Sequence, residues 1–401
     1  MIKYGPKLLS ILAISTVLAA ALYVARESHL APEASSNESM PDPILWRDIP
    51  LTLQIQIPPD STLDVSHLQI ALSKMEPFWK HHRASDYLHS LRLWGPACRF
   101  PAKSTVPVPE DIAPIDCESM LAFFLDQASF AKVYPFAKPY FVHSPHGLVA
   151  RTGISPSTTP HSDDFLLLAA ELGLSAKTKL HWLDRDVSVE DLIRHRQYWA
   201  LENTDIDFTV AAFARYVRGD AAWQDRFGRE CSLDIYAQQL VQRHLAKSCY
   251  GTHTLYALAS LYATDVQAPC LLQATRESVR SRLLKFSHDL TDSQSAAGFW
   301  SRHWSPELAD ADAMEDEHTE WVRCTGHHLE WIALLPADLR PGDAVVHRAA
   351  QFLLATLRDI SPLDLYESRS FCPLNHAARA LVVLTGHRYA ADVMADNWSK
   401  R

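Results

Sequence analysis

Short apolar helices begin at a nearly constant interval along this chain, and each opens on a Cys, His, Asp or Asn. The predicted starts are Asp116-Cys117-Glu118-Ser119, Ser162-Asp163-Asp164-Phe165, Thr204-Asp205-Ile206-Asp207, Cys249-Tyr250-Gly251-Thr252-His253, Cys324-Thr325-Gly326-His327-His328 and Cys372-Pro373-Leu374-Asn375-His376. Successive starts are 46, 44, 46, 74 and 49 residues apart. A period of this size is typical of stacked helical hairpins. Because equivalent helices in such an array run parallel, we expect these residues to gather at one end of the fold.

Two kinds of predicted helix alternate along the chain. One kind is apolar on more than one face, which indicates burial, and comprises 116–130, 163–173, 205–218, 250–263, 325–335 and 374–385. The other kind is amphipathic and suits an outer layer, at 188–200, 232–246, 272–289, 342–359 and 388–398. Only 12 glycines in 401 residues and few alternating β-branched runs also favour helix over strand. The chain is therefore predicted to be all-α, with an α/α toroid of five or six helical hairpins over 115–401.

The segments before this array are predicted to differ from it. Residues 27–45 are polar and interrupted by proline, which indicates a flexible stalk. Residues 46–114 are predicted to form an extended arm and a helix. Within them Leu51–Ile57 alternates as a strand does, and either pairs in a short hairpin or packs as an extended arm. The helix is expected over 63–90, and the proline-rich segment 131–160 is expected to be a long loop over one rim.

The first 26 residues carry a targeting signal. Lys3 and Lys7 precede an uninterrupted apolar run of 18 residues, Leu8–Ala25, which is nearly long enough to span a bilayer. Basic residues on its N-terminal side predict a single-pass anchor in the cell membrane, with the N-terminus in the cytoplasm and the toroid exported. Ala19-Ala20-Ala21 also offers a cleavage pattern, so a secreted or periplasmic protein cleaved after Ala21 is the alternative.

Charge and cysteine content limit the possible partners. The net charge is −9 and no basic stripe is present, so we expect no nucleic-acid partner. Seven cysteines are an odd number without compact spacing, although Cys98 with Cys117, or Cys231 with Cys249, could close short loops. The expected partners are the membrane, through the N-terminal helix, and a glycan or small-molecule ligand.

Two local resemblances support the toroid prediction. Residues 325–335, TGHHLEWIALL, resemble the G-H-x-x-E-W helix of the N-acylglucosamine 2-epimerase family, and residues 251–258, GTHTLYAL, are similar to that family's earlier His-bearing helix. This resemblance implies an α/α toroid that acts on free sugars. Residues 294–300, QSAAGFW, are similar to the Q-x3-G-x-W repeat of terpenoid cyclases. Those enzymes are toroids too, as are the protein prenyltransferases, and they imply isoprenoid or lipid chemistry as an alternative.

His327 and Glu330 are the leading catalytic candidates. They are three residues apart, so both lie on one face of a helix. A neutral imidazole beside a carboxylate is a serviceable general base, because the carboxylate fixes its tautomer. His253 and His376 are predicted to assist, in the epimerisation of a carbohydrate or in a lyase-type elimination. The competing interpretation is that the histidines cap helix starts and Glu330 pairs with an arginine.

Four further residues are predicted to contact the substrate, and the sequence leaves other roles open for them. They are Asp207, Tyr256, His328 and Trp331. A large aromatic ring at helical spacing is more often part of a core, so Trp331 could equally be structural. A non-catalytic envelope toroid that binds a glycan or a protein is the main alternative to an enzyme.

Three cysteines precede three of the histidines by three or four residues. Cys249, Cys324 and Cys372 come just before His253, His327 and His376. Thiolate and imidazole together bind zinc, but no C-x-x-C or H-x-x-x-H pair is present. We therefore predict no metal and no cofactor, and expect these thiols to be buried small hydrophobes or one disulfide.

Overall fold

The computed structural model describes residues 46–60, 62–76, 83–100, 115–182, 185–199, 206–245, 248–313, 315–361 and 371–399. The predicted stalk and the apolar run Leu8–Ala25 lie outside these residues. Among the residues that are described, no helix is both long enough and apolar enough to cross a membrane.

The described chain consists mainly of helices, which confirms the all-α prediction at the level of fold class. The helices of the first half are α1 Val65–Lys74, α2 Ala84–Trp94, α3 Cys117–Leu125, α4 Gln127–Val133, α5 Asp164–Leu172, α6 Val189–Trp199 and α7 Ile206–Tyr216. Those of the second half are α8 Leu233–Gln242, α9 Thr252–Gln267, α10 Gln273–Ser293, α11 Glu317–Ile332, α12 Asp343–Asp359, α13 Phe371–Leu384 and α14 Ala390–Trp398.

Six of these helices contact one another in a closed cycle. The order of neighbours is α2, α5, α7, α9, α11, α13 and back to α2. The more amphipathic helices pack on the outside of this cycle, with α8 against α7, α10 against α9, and α12 against α11 and α13. The buried helices predicted from 163 onward coincide with α5, α7, α9, α11 and α13. The sixth member of the cycle is α2, whereas α3 packs behind it against α2 and α4.

Three helix boundaries differ from the prediction for local reasons. The structure has two helices where a single one was expected over 63–90. The first, α1, ends at Lys74, three residues before Pro77, and proline disrupts the interior of a helix. The helix expected over 116–130 breaks at Asp126, whose carboxylate accepts a hydrogen bond from Ser129 N and caps α4. Helix α11 begins at Glu317, eight residues before the predicted start, where Asp316 caps it. His327 therefore lies inside a helix rather than at its N-terminus.

Short β-hairpins occur where the sequence analysis expected loops or helix. They pair β1 Phe141–Ser144 with β2 Gly147–Ala150, β3 Lys179–Trp182 with β4 Arg185–Ser188, and β5 Ala222–Gln224 with β6 Glu230–Ser232. The first hairpin lies within the predicted loop 131–160. Strands of three or four residues are too short to show an alternating pattern, which is why periodicity did not reveal them.

The segment Leu51–Ile57 packs as an extended arm and not as a hairpin. Leu53 and Ile57 are buried in the core, and the backbone N–H of Gln56 donates to Ala333 O at 2.8 Å. The N–H of Leu51 donates to Arg215 O at 3.0 Å. The arm therefore connects the ends of α7 and α11 through backbone hydrogen bonds.

Gly326 allows a close approach between two helices of the cycle. A Cβ atom at this position would lie 2.8 Å from the backbone nitrogen of Ala377 and 3.0 Å from the carbonyl carbon of His376. Helices α11 and α13 therefore touch at a position without a side chain. This contact brings the neighbouring residue His327 to the ring of His376, with centroids 3.7 Å apart.

Replacing Gly326 by serine should separate α11 from α13. We expect Gly326→Ser to lower the free energy of unfolding by about 1–3 kcal/mol, because the new Cβ overlaps backbone that cannot rotate away. Urea denaturation of the purified chain measures this change. Gly342→Ser is the matched control, because a Cβ there meets nothing within 4 Å and serine is a good helix N-cap. Equal stability of the two variants would show that the helices tolerate the extra atom.

Candidate functional site

A cavity of about 240 Å³ lies among the six helices of the cycle. Each of these helices contributes at least one polar side chain to its lining. One representative from each, in chain order, is His89, Asp164, Asp207, His253, His327 and His376. The cavity therefore forms only when all six helices are in place.

Five histidine rings form a continuous row along the cavity. The row begins at His161, and the following rings are His253, His327, His376 and His89. The successive ring centroids are 5.1, 5.1, 3.7 and 4.8 Å apart. The structure thus brings together the three histidines that the sequence analysis chose for chemistry and adds two others.

Glu330 orients two of these imidazoles. Its Oε2 accepts a hydrogen bond from His376 Nδ1 at 2.8 Å and lies 3.4 Å from His327 Nδ1, while Arg379 donates to Oε1 at 2.8 Å. Burial alone would raise the pKa of this carboxyl, but the nearby His376 and Arg379 hold the pKa well below its usual value. An ionised carboxylate can only accept hydrogen bonds. In its neutral form each of the two rings therefore carries its proton on Nδ1 and leaves Nε2 unprotonated.

A second buried carboxylate, Glu171, anchors the arginines behind the cavity. Arg92 donates to it from Nε at 2.6 Å and from Nη2 at 3.0 Å, and Arg379 lies 3.4 Å away. Tyr256 also donates its hydroxyl proton to Oε1. Burial opposes ionisation of Glu171, but the guanidinium groups of Arg379 and Arg92 hold its pKa far below the usual value. With Arg215 at 3.9 Å, three guanidinium groups face two carboxylates, so this network keeps a net positive charge.

Cys249 lies at the opposite face of His327. Its thiol lines the cavity, and one ligand atom from each of Cys249, His253 and His327 lies within 4.8 Å of the others. Burial alone would lower the pKa of His327, but its interactions with Cys249 and Glu330 raise the pKa above the ordinary value. Cys249 and Tyr250 both adopt left-handed backbone conformations, with φ of 42° and 54°. Such conformations are costly for residues other than glycine and cluster at functional sites.

The four residues predicted to contact substrate divide into two pairs. Asp207 and Tyr256 line the cavity, and Thr254 Oγ1 donates to Asp207 at 3.3 Å. His328 and Trp331 do not line it; both are fully buried, and Trp331 Nε1 donates to His328 Nδ1 at 3.0 Å. His328 follows His327 by one residue and therefore points about 100° away around the helix, toward the outer layer.

Several residues of the site were not found from the sequence, although local signals existed. His89 and Arg92 are three residues apart on α2, as His376 and Arg379 are on α13, and both pairs face inward. Glu171 is the carboxylate near the end of the apolar helix α5, where burial requires a partner. These signals identify a site only when it is known which helices are neighbours, because the partner of each residue lies on a different helix.

His328 should make stability depend on pH below neutrality. Burial holds the pKa of its imidazole well below the unfolded value of 6.5, so only the unfolded chain takes up a proton there as the pH falls below that value. The resulting loss of stability approaches about 1.4 kcal/mol per pH unit. Between pH 6.5 and 5 we expect the unfolding free energy of His328→Gln to fall less steeply than that of wild type. The difference should correspond to about one proton fewer taken up on unfolding, measured by urea denaturation at each pH. His288→Gln, at a solvent-exposed position on α10, is the control. An unchanged slope in His328→Gln would contradict the assignment.

Comparison with known proteins does not assign this site. No protein-family model, no curated protein and no solved structure matches the chain. The function must therefore be argued from the arrangement of the side chains.

Proposed function

We propose that the closed cycle of six helices is the inner layer of an α/α toroid. The neighbour order of α2, α5, α7, α9, α11 and α13 supports this, because each member contacts the next and the last contacts the first. The amphipathic helices packed outside the cycle support it as well. The cavity lined by all six helices is then the central cavity of the toroid.

We propose that this cavity binds a small carbohydrate and that His327 carries out general acid–base catalysis on it. The observation that carries the proposal is the position of Glu330. Its carboxylate lies at Nδ1 of both His327 and His376, so it fixes both tautomers and leaves Nε2 as the basic atom. His253 flanks the His327 ring on the other side, with centroids 5.1 Å apart.

The reaction begins with removal of a proton from a carbon next to a carbonyl group. The proton moves to His327 Nε2, and the electron pair of the C–H bond moves toward the carbonyl oxygen to form an enolate. Arg92 lines the cavity and belongs to a network with excess positive charge, so it is placed to stabilise that oxygen. Return of a proton from a water molecule to the opposite face gives the epimer, and the proton on His327 then passes to the hydroxide that is left. Expulsion of a leaving group from the adjacent carbon gives the elimination product instead.

The size of the cavity and the polar groups that reach it support a sugar over an isoprenoid. Its 240 Å³ is below the roughly 300–1,000 Å³ of sites for drug-sized ligands, which suits a single sugar ring. Imidazole, guanidinium, carboxylate and thiol groups are all present in its lining, although apolar atoms supply most of the surface that the cavity exposes. A lipid-processing toroid would need a larger cavity. Glycan binding without catalysis remains the alternative that the assay below separates.

A second candidate function is covalent catalysis by Cys249. Cys249 has a left-handed backbone and lies next to His327, which in turn lies next to Glu330. In this arrangement Cys249 is the nucleophile, His327 the base and Glu330 the carboxylate that orients the base. In that reaction His327 takes the thiol proton, and the sulfur bonds to a substrate carbonyl carbon as the π electron pair of the C=O bond moves to the oxygen. The two candidates differ in whether the thiol is needed.

We also propose that the chain is exported and held at the cell membrane. The basis is the apolar run Leu8–Ala25 behind Lys3 and Lys7. Cleavage after Ala21 would instead release the toroid. In either case the site would meet carbohydrate outside the cytoplasm.

Exchange of a substrate proton with solvent tests the proposed catalysis. The full chain is incubated in D₂O with free hexoses, N-acylhexosamines and uronic acids, and proton NMR follows the signal of the hydrogen next to the carbonyl carbon. We expect wild type to exchange this hydrogen in at least one sugar. His327→Gln should slow the exchange by at least about 100-fold, because a general base contributes that much or more.

Two further variants show whether an effect on exchange is specific to His327. His288→Gln alters an exposed histidine on α10 and should exchange at the wild-type rate. Cys249→Ala should retain exchange, whereas its loss there would favour the covalent alternative. Absence of exchange with every sugar, or equal rates in wild type and His327→Gln, would overturn the proposal. Sugar binding without exchange would favour the non-catalytic toroid.

A further inference from the structure

Three potential metal ligands converge at one end of the histidine row. His89 Nε2 lies 3.1 Å from His376 Nε2 and 3.2 Å from the sulfur of Cys372. The three ligand atoms all lie within 4.8 Å of one another. His89 and Cys372 are partly exposed and line the cavity, and His376 is buried beside them. The group is therefore accessible from the cavity.

The hydrogen bonds of the two imidazoles leave their facing nitrogens without a proton. His89 Nδ1 lies 2.6 Å from the carbonyl oxygen of Ser85, which can only accept, so Nδ1 carries the proton. His376 Nδ1 donates to Glu330 for the same reason. Both Nε2 atoms then point lone pairs at each other across 3.1 Å. Such a contact is repulsive unless a cation lies between the two atoms.

A proton is a poor candidate for this cation. The Cys372 thiol has one hydrogen and can satisfy only one of the two nitrogens. An added proton could bridge the two nitrogens, but it would not hold the sulfur as well. A metal ion, in contrast, binds all three ligand atoms at once.

We propose that His89, Cys372 and His376 bind a divalent transition-metal ion of the zinc class. Zinc–nitrogen bonds of about 2.0–2.1 Å and zinc–sulfur bonds of about 2.3 Å at tetrahedral angles put the nitrogens about 3.4 Å apart and nitrogen and sulfur about 3.6 Å apart. The separations of His89 from the other two ligand atoms, 3.1 and 3.2 Å, are a few tenths of an ångström shorter, which small side-chain rotations supply. Three protein ligands leave a fourth position for water or substrate on the cavity side.

The partners of these ligands match those of known metal sites. Metal-binding histidines usually donate their other N–H to a carboxylate or a backbone carbonyl, as His376 does to Glu330 and His89 does to Ser85. Arg323 donates to the Cys372 sulfur, so a guanidinium is already in place beside the thiolate that metal binding would create. Binding of the metal deprotonates the thiol, and that proton leaves to solvent.

This inference goes beyond the proposed proton transfer and does not depend on it. His376 becomes a ligand, whereas His327 remains the group that moves the proton. The ring of His327 lies 3.7 Å from that of His376, so an oxygen at the fourth metal position would be close to the proposed base. The metal would polarise a substrate carbonyl or activate a water molecule there.

Cobalt titration of the metal-free full chain tests the site. The chain is treated with a chelator under reducing conditions, and Co²⁺ or Zn²⁺ is then added and followed by absorption and calorimetry. We expect one ion per chain and, with Co²⁺, a thiolate-to-metal charge-transfer band together with intense tetrahedral bands. Cys372→Ala should abolish the charge-transfer band. Both Cys372→Ala and His89→Ala should weaken binding by more than about 100-fold, which exceeds the effect of a residue that only hydrogen-bonds to a ligand.

The choice of variants separates this site from its neighbour. Cys249→Ala should keep the band, because Cys249 belongs to the other group, with His253 and His327. His327→Gln should also keep metal binding, so failure of the exchange assay and failure of metal binding can be told apart. Circular dichroism of each metal-free variant checks its fold, and the two ligand variants provide independent tests. Wild type that binds no stoichiometric metal, or a band lost in Cys249→Ala and kept in Cys372→Ala, would overturn the inference.

Discussion

A buried guanidinium holds the functional part of this molecule together. Arg379 on α13 reaches Glu330 on α11 and Glu171 on α5, so one side chain links three helices that are distant in sequence. Removing ions from water costs several kcal/mol each, and only close pairing offsets that cost. Arg92 completes the pairing of Glu171 through two hydrogen bonds. The network is therefore satisfied in only one arrangement of these helices.

The same network prepares the cavity for chemistry. Because Arg379 neutralises Glu330 from behind, the carboxylate stays ionised and accepts from imidazoles on its other side. The tautomers of neutral His327 and His376 follow from this, and with them the direction of the lone pair on each Nε2. Gly326 adds the steric condition, since α11 and α13 must touch for the two rings to meet. Charge and packing thus act on the same pair of helices.

The sequence predicted the helices well and the contacts between them only in part. Helices α5, α7, α9 and α13 begin close to their predicted starts, because their apolar runs are long and each opens on a cap or a polar turn. His253, His327 and His376 were chosen because they recur in equivalent positions. His89 belongs to no repeat, and Cys372 gains a ligand-like setting only when α2 meets α13. His328 and Trp331 were assigned to the site because the exact start and rotation of α11 cannot be derived from its pattern.

The pairing of His89 with His376 joins residues 287 positions apart. The complete pocket cannot form from a shorter segment of the chain, since His89 and His376 lie toward opposite ends of the described sequence. Loop-closure entropy opposes such a contact until the intervening helices have docked, so it belongs to the late steps of folding. A ligand held there would couple both ends of the chain, and its binding energy would stabilise the whole assembly of helices rather than one local element.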